Sequence, residues 1–217
     1  MPSEANLLIA IPTTGSIHPI LVSRLIRWGR LLPEERVHFY FTYKLAPVDR
    51  ARNQIVDVFL NGAEQDGRRS LPFTHLLMID ADTIPPEDAI DRLFSHGREI
   101  TTGLTPIVTY DANEVQAYDN AFLARETDDQ GKVVKTHVAQ RRTGLKEVFR
   151  CGASCILIAR EVFEKLDKPY FRFVPNEDNT KHVRSEDIDF CDRARALGFR
   201  IHADTDVVCQ HNKEVLI

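Results

Sequence analysis

The sequence predicts an α/β fold, a mainly parallel sheet with helices on both faces. Leu7–Ile11 and Leu76–Ile79 are short, unbroken apolar runs, the pattern of strands buried on both sides. Between them, Ile20, Leu21, Leu25, Trp28 and Leu32 recur at helical spacing. Strand and helix patterns then keep alternating through the first half, as parallel strands joined by helical crossovers do.

In chain order, Leu7–Ile11 ends at Pro12-Thr-Thr-Gly15, and Pro19–Leu32 reads as the first helix. Val37–Thr42 is rich in β-branched and aromatic residues, and Ala51–Leu60 carries Ile55, Val56 and Phe59 as a helical stripe. Leu76–Ile79 is the third strand, and Pro86–Phe94 a helix with proline at its start. From about Asp111 the pattern loosens. Thr127–Gly131 is a turn signal, and Lys132–Gln140 reads as one arm of a hairpin. Val148–Phe149 and Ser154–Ala159 are strand-like, Arg160–Leu166 a short helix, and Pro175–Lys181 a polar loop. Ser185–Leu197 is a helix closed by Gly198, followed by short strands at Phe199–His202 and Val207–Cys209.

The chain has 217 residues, 28 basic and 32 acidic, for a net charge of −4. That length suits one domain and buries roughly 70% of the unfolded surface. No apolar run approaches the ~20 residues of a membrane helix, and the start lacks the basic region of a signal peptide. Mild acidity argues against a dedicated duplex-DNA binder. Cys151, Cys155, Cys191 and Cys209 form no C-x-x-C pair and read as buried small hydrophobes, with a zinc site or catalytic thiol as the lesser reading. Both features fit a cytoplasmic protein.

Four segments carry potential chemistry. In His75-Leu-Leu-Met-Ile-Asp80-Ala-Asp82 an apolar strand delivers two carboxylates to its C-terminal end, the edge where ligands bind in parallel sheets. Paired carboxylates suit a hard divalent cation, although acids also simply end strands. In Ser185-Glu186-Asp187-Ile-Asp189, Ser185 reads as an N-cap and the acids suit a helix start. A carboxylate there can also face a cleft and accept a proton. His211 is either a surface histidine or a metal ligand to be grouped with distant carboxylates. In Asp49-Arg50-Ala-Arg52-Asn53, Asp49 reads as a cap, and the arginines are either solvated or reach a diphosphate.

Together these segments resemble a glycosyltransferase of the GT-A fold, similar to the family 2 enzymes. The resemblance rests on the order Ile9-Ala-Ile-Pro-Thr13, Arg50-x-Arg52-Asn53, Asp80-Ala81-Asp82, Gly152-Ala153-Ser154, Ser185-Glu186-Asp187 and His211. It implies a single domain, with residues 6–110 as the nucleotide-sugar half and residues 111–217 as a partly antiparallel, acceptor-side half. It also implies metal-dependent transfer of one sugar from a nucleoside-diphosphate sugar, UDP favoured, to an acceptor hydroxyl with inversion.

By the same resemblance, Pro12, Thr13, Arg50, Arg52, Asn53, Asp80, Ala81, Gly152 and Ala153 surround the donor. Asp82, His211 and, through water, Asp80 hold Mn²⁺ or Mg²⁺. Asp187 is the general base, and Glu186 orients the acceptor. No Q-x-x-R-W motif or membrane helix accompanies these, which favours a soluble, single-transfer enzyme.

The basic residues Lys132, Lys135, Arg141, Arg142, Lys146 and Arg150 face a single acid, Glu147, within residues 132–150. They read as a solvated hairpin or as attraction to an anionic acceptor: a phosphorylated glycan, a lipid headgroup or duplex nucleic acid. The rival classes are a nucleotidyltransferase of related fold, for which Pro12–Ser16 offers only one glycine, and an inactive nucleotide-sugar-binding module.

Overall fold

The computed structural model describes residues 1, 5–62, 64–65, 68–69, 72–111, 114–127 and 133–212. Its frame is a seven-stranded sheet. The elements that build it and cover it are β1 (Leu7–Ile11), α1 (Pro19–Leu31), β2 (Val37–Phe41), α2 (Val48–Asn61), β3 (His75–Ile79), α3 (Ala89–Ser95) and β4 (Ile100–Leu104). Two hairpins follow, β5 (Pro106–Asp111) with β6 (Glu114–Asp119), and β7 (Ala121–Thr127) with β8 (Val133–Val138). The chain then returns to the sheet through β9 (Leu145–Val148), β10 (Cys155–Ala159), α4 (Arg160–Lys165), α5 (Glu186–Ala196) and β11 (Ile201–Val208).

The strand order is β9-β11-β4-β10-β3-β1-β2. β1 lies parallel to β2 and β3, and β11 lies parallel to β4. β10 runs antiparallel to both β3 and β4, and β9 antiparallel to β11. The sheet is therefore mainly parallel, with two strands reversed, and small antiparallel pieces lie beside it. Both halves of the chain contribute strands to it.

Alternation along β1 explains the two cores. Leu8 and Ala10 face one side with Ile55, Val56 and Phe59 of α2 and Phe163 and Phe190 of α4 and α5. Leu7, Ile9 and Ile11 face the other side with Leu21, Leu25 and Trp28 of α1 and Ile90 and Leu93 of α3. A strand covered on both faces has no solvent side and so needs no polar alternation.

Several boundaries differ from the sequence reading. The third helix starts at Ala89 rather than Pro86, because Pro85 and Pro86 precede it. The late strands at Phe199–His202 and Val207–Cys209 are one strand, β11, whose pairing to β4 slips between Asp204 and Val208. Residues 128–131 of the predicted turn, and Lys132, lie outside the described residues. β4 was not anticipated: Thr101, Thr102 and Gly103 disguise a fully buried strand. Thr102 satisfies its hydroxyl on the Cys155 carbonyl at 3.0 Å, and a Cβ at Gly103 would come within 2.7 Å of Val207. That position takes glycine because β11 packs so close.

Candidate active site

A cleft of about 560 Å³ opens at the C-terminal ends of β1 and β3, the edge where α/β sheets bind ligands. Pro12, Thr13, His18, Val48, Asp80, Ala81, Asp82 and Asn212 line it, among others. Thr13 is fixed by its neighbours: its N–H donates to Thr42 Oγ1 at 2.8 Å, and its hydroxyl donates to the Ser16 carbonyl at 2.9 Å. The His18 N–H donates to the Ala81 carbonyl at 2.8 Å, so the loop after β1 is latched to the loop after β3.

His211 reaches the same rim. Gln210–His211 pairs antiparallel with Thr83–Ile84, and the Asn212 N–H donates to the Asp82 carbonyl at 3.0 Å. His211 Nε2 lies 3.2 Å from Asp82 Oδ2, while Nδ1 lies 2.7 Å from the Pro106 carbonyl. A carbonyl only accepts, so that contact assigns a proton to Nδ1. In the neutral ring Nε2 then turns a lone pair toward a carboxylate, an arrangement that calls for a proton or a cation between them. Two ligand atoms each about 2.1 Å from a metal and at right angles stand about 3.0 Å apart, so this spacing fits adjacent ligands of one divalent ion.

Asp80 lines the same cleft but is engaged by an arginine. Its Oδ1 accepts from Arg52 Nη2 at 2.7 Å, and among the described residues no group of three or more His, Cys, Asp or Glu side chains is gathered around an ion site.

Arg52 is buried, and its second guanidinium nitrogen is ion-paired with Glu186. Burial opposes the Arg52 charge, but Asp80 and Glu186 outweigh it and raise the pKa. Burial raises the Glu186 pKa. Arg52 pulls it down, but it also serves Asp80, and the nearby Asp187 and Asp80 carboxylates push the same way as burial. Glu186 thus faces the protein interior.

The neighbouring Asp187 is only partly buried. Its Oδ1 accepts from the Ser185 hydroxyl and from the Ile188 N–H at 2.8 Å. Ser185 occupies the N-cap position of α5 without making the side-chain cap bond expected of it; its hydroxyl serves Asp187 instead.

Other sequence-predicted residues lie elsewhere. Arg50 and Asn53 line a separate hollow with Gln54, Lys168 and Tyr170. The Asn53 amide donates to the Asp49 and Phe171 carbonyls and accepts from the Tyr170 and Phe171 N–H groups. It pins the 170–171 segment to α2 rather than facing the cleft. Asp49 sits in the first turn of α2, after Pro47 at the cap.

At Gly152 a Cβ would come within 2.7 Å of Asn120 Nδ2, so this glycine makes room for a side chain. Ala153 is buried. Asn120 is the residue that sequence reasoning missed. It is buried, accepts from the Thr105 N–H at 2.9 Å and donates to Ser154 Oγ at 3.1 Å. Ser154 in turn accepts from the Asp80 N–H through its carbonyl at 3.0 Å, so Asn120 supports the strand end that carries Asp80.

The four cysteines are buried free thiols. Cys151 and Cys191 lie with their sulfurs 3.9 Å apart. Sharing a hydrogen bond with the partner thiol, together with burial, raises the Cys151 and Cys155 pKa values well above normal, the opposite of a nucleophilic thiolate. Part of the basic segment is neutralised from outside: Arg141 makes two 2.8 Å bonds to Asp119, and Arg150 pairs with Asp192. Asp189, fully buried on α5, accepts from Arg172 at 2.9 Å and sits within 3.6 Å of Arg193.

Among the described residues no helix is long and apolar enough to cross a membrane. No family model and no curated protein matches the chain. Solved structures do. Protein A197 from STIV aligns with a TM-score of 0.61 at 18% identity, over 96% of this chain and 86% of that one. GalNAc-T7, crystallised with UDP, GalNAc and Mn²⁺, aligns with a TM-score of 0.61 at 12% identity, over 97% of this chain. This chain spans 44% of the GalNAc-T7 chain. At such identities the likeness shows the fold alone, and that fold is a GT-A-like α/β frame.

Proposed function

We propose that this protein is a glycosyltransferase that moves one sugar from a nucleoside-diphosphate donor, UDP favoured, to an acceptor hydroxyl. The observation that carries the reading is the approach of Asp82 and His211, from segments far apart in sequence, at the rim of the β1–β3 cleft. The GT-A-like frame supports it, and so does the solved GalNAc-T7 complex, whose contents are a nucleotide, a sugar and Mn²⁺.

In this reading Pro12 and Thr13 form the wall beside the nucleotide base, and Ala81 leaves space for the ribose and diphosphate. Asp82 and His211 hold Mn²⁺ or Mg²⁺, which supplies charge neutralisation to the departing diphosphate. Asp187 is the general base. Its carboxylate takes the acceptor proton as the acceptor oxygen bonds to the anomeric carbon, and the bond from that carbon to the diphosphate oxygen breaks with inversion. Glu186 acts through Arg52, fixing the start of α5 against Asp80. Arg50 and Asn53 have no part in the donor site.

A thermal-shift panel of nucleotide sugars with and without Mn²⁺ tests the donor half, since ligands of the native state raise the apparent melting temperature. A cation-dependent rise selective for one nucleotide supports the reading; no rise with any member of the panel counts against it.

A further inference from the structure

We propose that the outer edge of β2, with the exposed face of α1 beside it, is an interface between two copies of this chain. The two edges of the central sheet are unlike. β9, at one end, reads Leu-Lys-Glu-Val and places Lys146 and Glu147 along its length. Charge of that kind keeps an edge from pairing. β2, at the other end, reads Val-His-Phe-Tyr-Phe, with no charged side chain, no proline and a regular register against β1.

The face above that edge is apolar. Between α1 and β2 runs a groove of about 530 Å³ walled by Val22, Leu25, Ile26, Phe39 and Phe41. Of its walls, Val22, Ile26 and Phe41 are 39%, 53% and 43% exposed. Scattered exposed hydrophobics are ordinary, but a contiguous set beside an unprotected strand edge marks a contact surface.

Charge selects a second copy as the occupant. β2 is entered from a turn bearing the exposed acids Glu34 and Glu35 and leaves toward exposed Lys44. Arg36, also at the entry, is half-buried and already engaged. Antiparallel pairing of β2 with β2 of a second copy, about a two-fold axis near Phe39, sets the acidic entry of each strand against the basic exit of the other. The same axis brings the two α1 faces together over the junction, so each groove receives the other copy's aliphatic side chains. One patch thus meets itself, as a two-fold interface requires.

Sedimentation or light scattering of the full chain at micromolar concentration tests this. The expected species has twice the monomer mass. Ile26→Asp, at an exposed position, leaves only monomer with an unchanged thermal melt. Lys44→Glu weakens the dimer about tenfold, through two repulsive pairs, and Glu34→Lys added to it restores the dimer. A wild-type chain that stays monomeric, or a dimer indifferent to Ile26→Asp and to the charge swap, overturns the proposal. So does a monomer that sediments with anionic phospholipid vesicles through this face, which would assign the surface to a bilayer.

Discussion

Arg52 and Glu186, 134 positions apart, meet in a buried ion pair that ties the start of α2 to the start of α5. The same guanidinium holds Asp80 at 2.7 Å, so one cation fixes the end of β3 and the first turn of the helix that bears Asp187. Removing it leaves two carboxylates in a poorly solvated place. Arg52→Ala should cost about 3–5 kcal/mol of stability, read as a lowered urea midpoint. Arg52→Lys should recover only part of this, because an ammonium lacks the fork that serves two acids at once.

Glu186 should make stability depend on pH in an unusual direction. Its pKa is raised by burial from the ordinary value of 4.5. The folded state therefore binds the proton more tightly than the unfolded chain. The resulting contribution is full below the unfolded value and is lost as pH rises through the raised native value. Urea midpoints of wild type and Glu186→Gln across pH 4 to 8 should show the wild-type advantage shrinking with rising pH. An advantage that grows with pH contradicts this environment for Glu186.

Gly152 and Asn120 should behave as one unit. Gly152→Ala forces a Cβ against the Asn120 amide and should cost about 1–3 kcal/mol. Asn120→Ala leaves the Thr105 N–H without its acceptor, at about 1–3 kcal/mol. Because the clash needs both side chains, the double variant should be more stable than the sum of the singles predicts. Strict additivity in denaturation curves would mean that another neighbour dictates the glycine.

Asp187 and Glu186 should separate in kinetics. Asp187→Asn should lower kcat about 10²- to 10⁴-fold, the worth of a general base, with nucleotide-sugar binding retained. Glu186→Gln should alter stability along with activity, because it loosens the Arg52 pairing. Wild-type turnover by Asp187→Asn would remove that residue from the role of base.

Much of the frame was legible because it obeys simple periodicity. β1 and β3 are continuous apolar runs, and the stripes of α1 and α2 repeat at helical spacing. β4 escaped notice because its threonines look polar, yet Thr102 satisfies its hydroxyl on the Cys155 carbonyl of the neighbouring strand, which the sequence of β4 does not display. The surroundings of Asn53 and Gly152 were not legible for a related reason. Asn53 bonds the backbone of Phe171, and Gly152 is set by Asn120, both distant in the chain. Glu186 and Asp187 are adjacent in sequence, yet helical geometry turns one inward to Arg52 and leaves the other half-exposed.

The most direct test of the account is the identity of the phosphorylated product. Purified protein is incubated with Mn²⁺, the nucleotide sugar selected by thermal shift and candidate hydroxyl acceptors, and the products are resolved by mass. The account predicts free nucleoside diphosphate matched one-to-one by glycosylated acceptor, abolished by chelator and by His211→Ala or Asp82→Asn. Release of pyrophosphate, or undiminished transfer in chelator and in both variants, would contradict it.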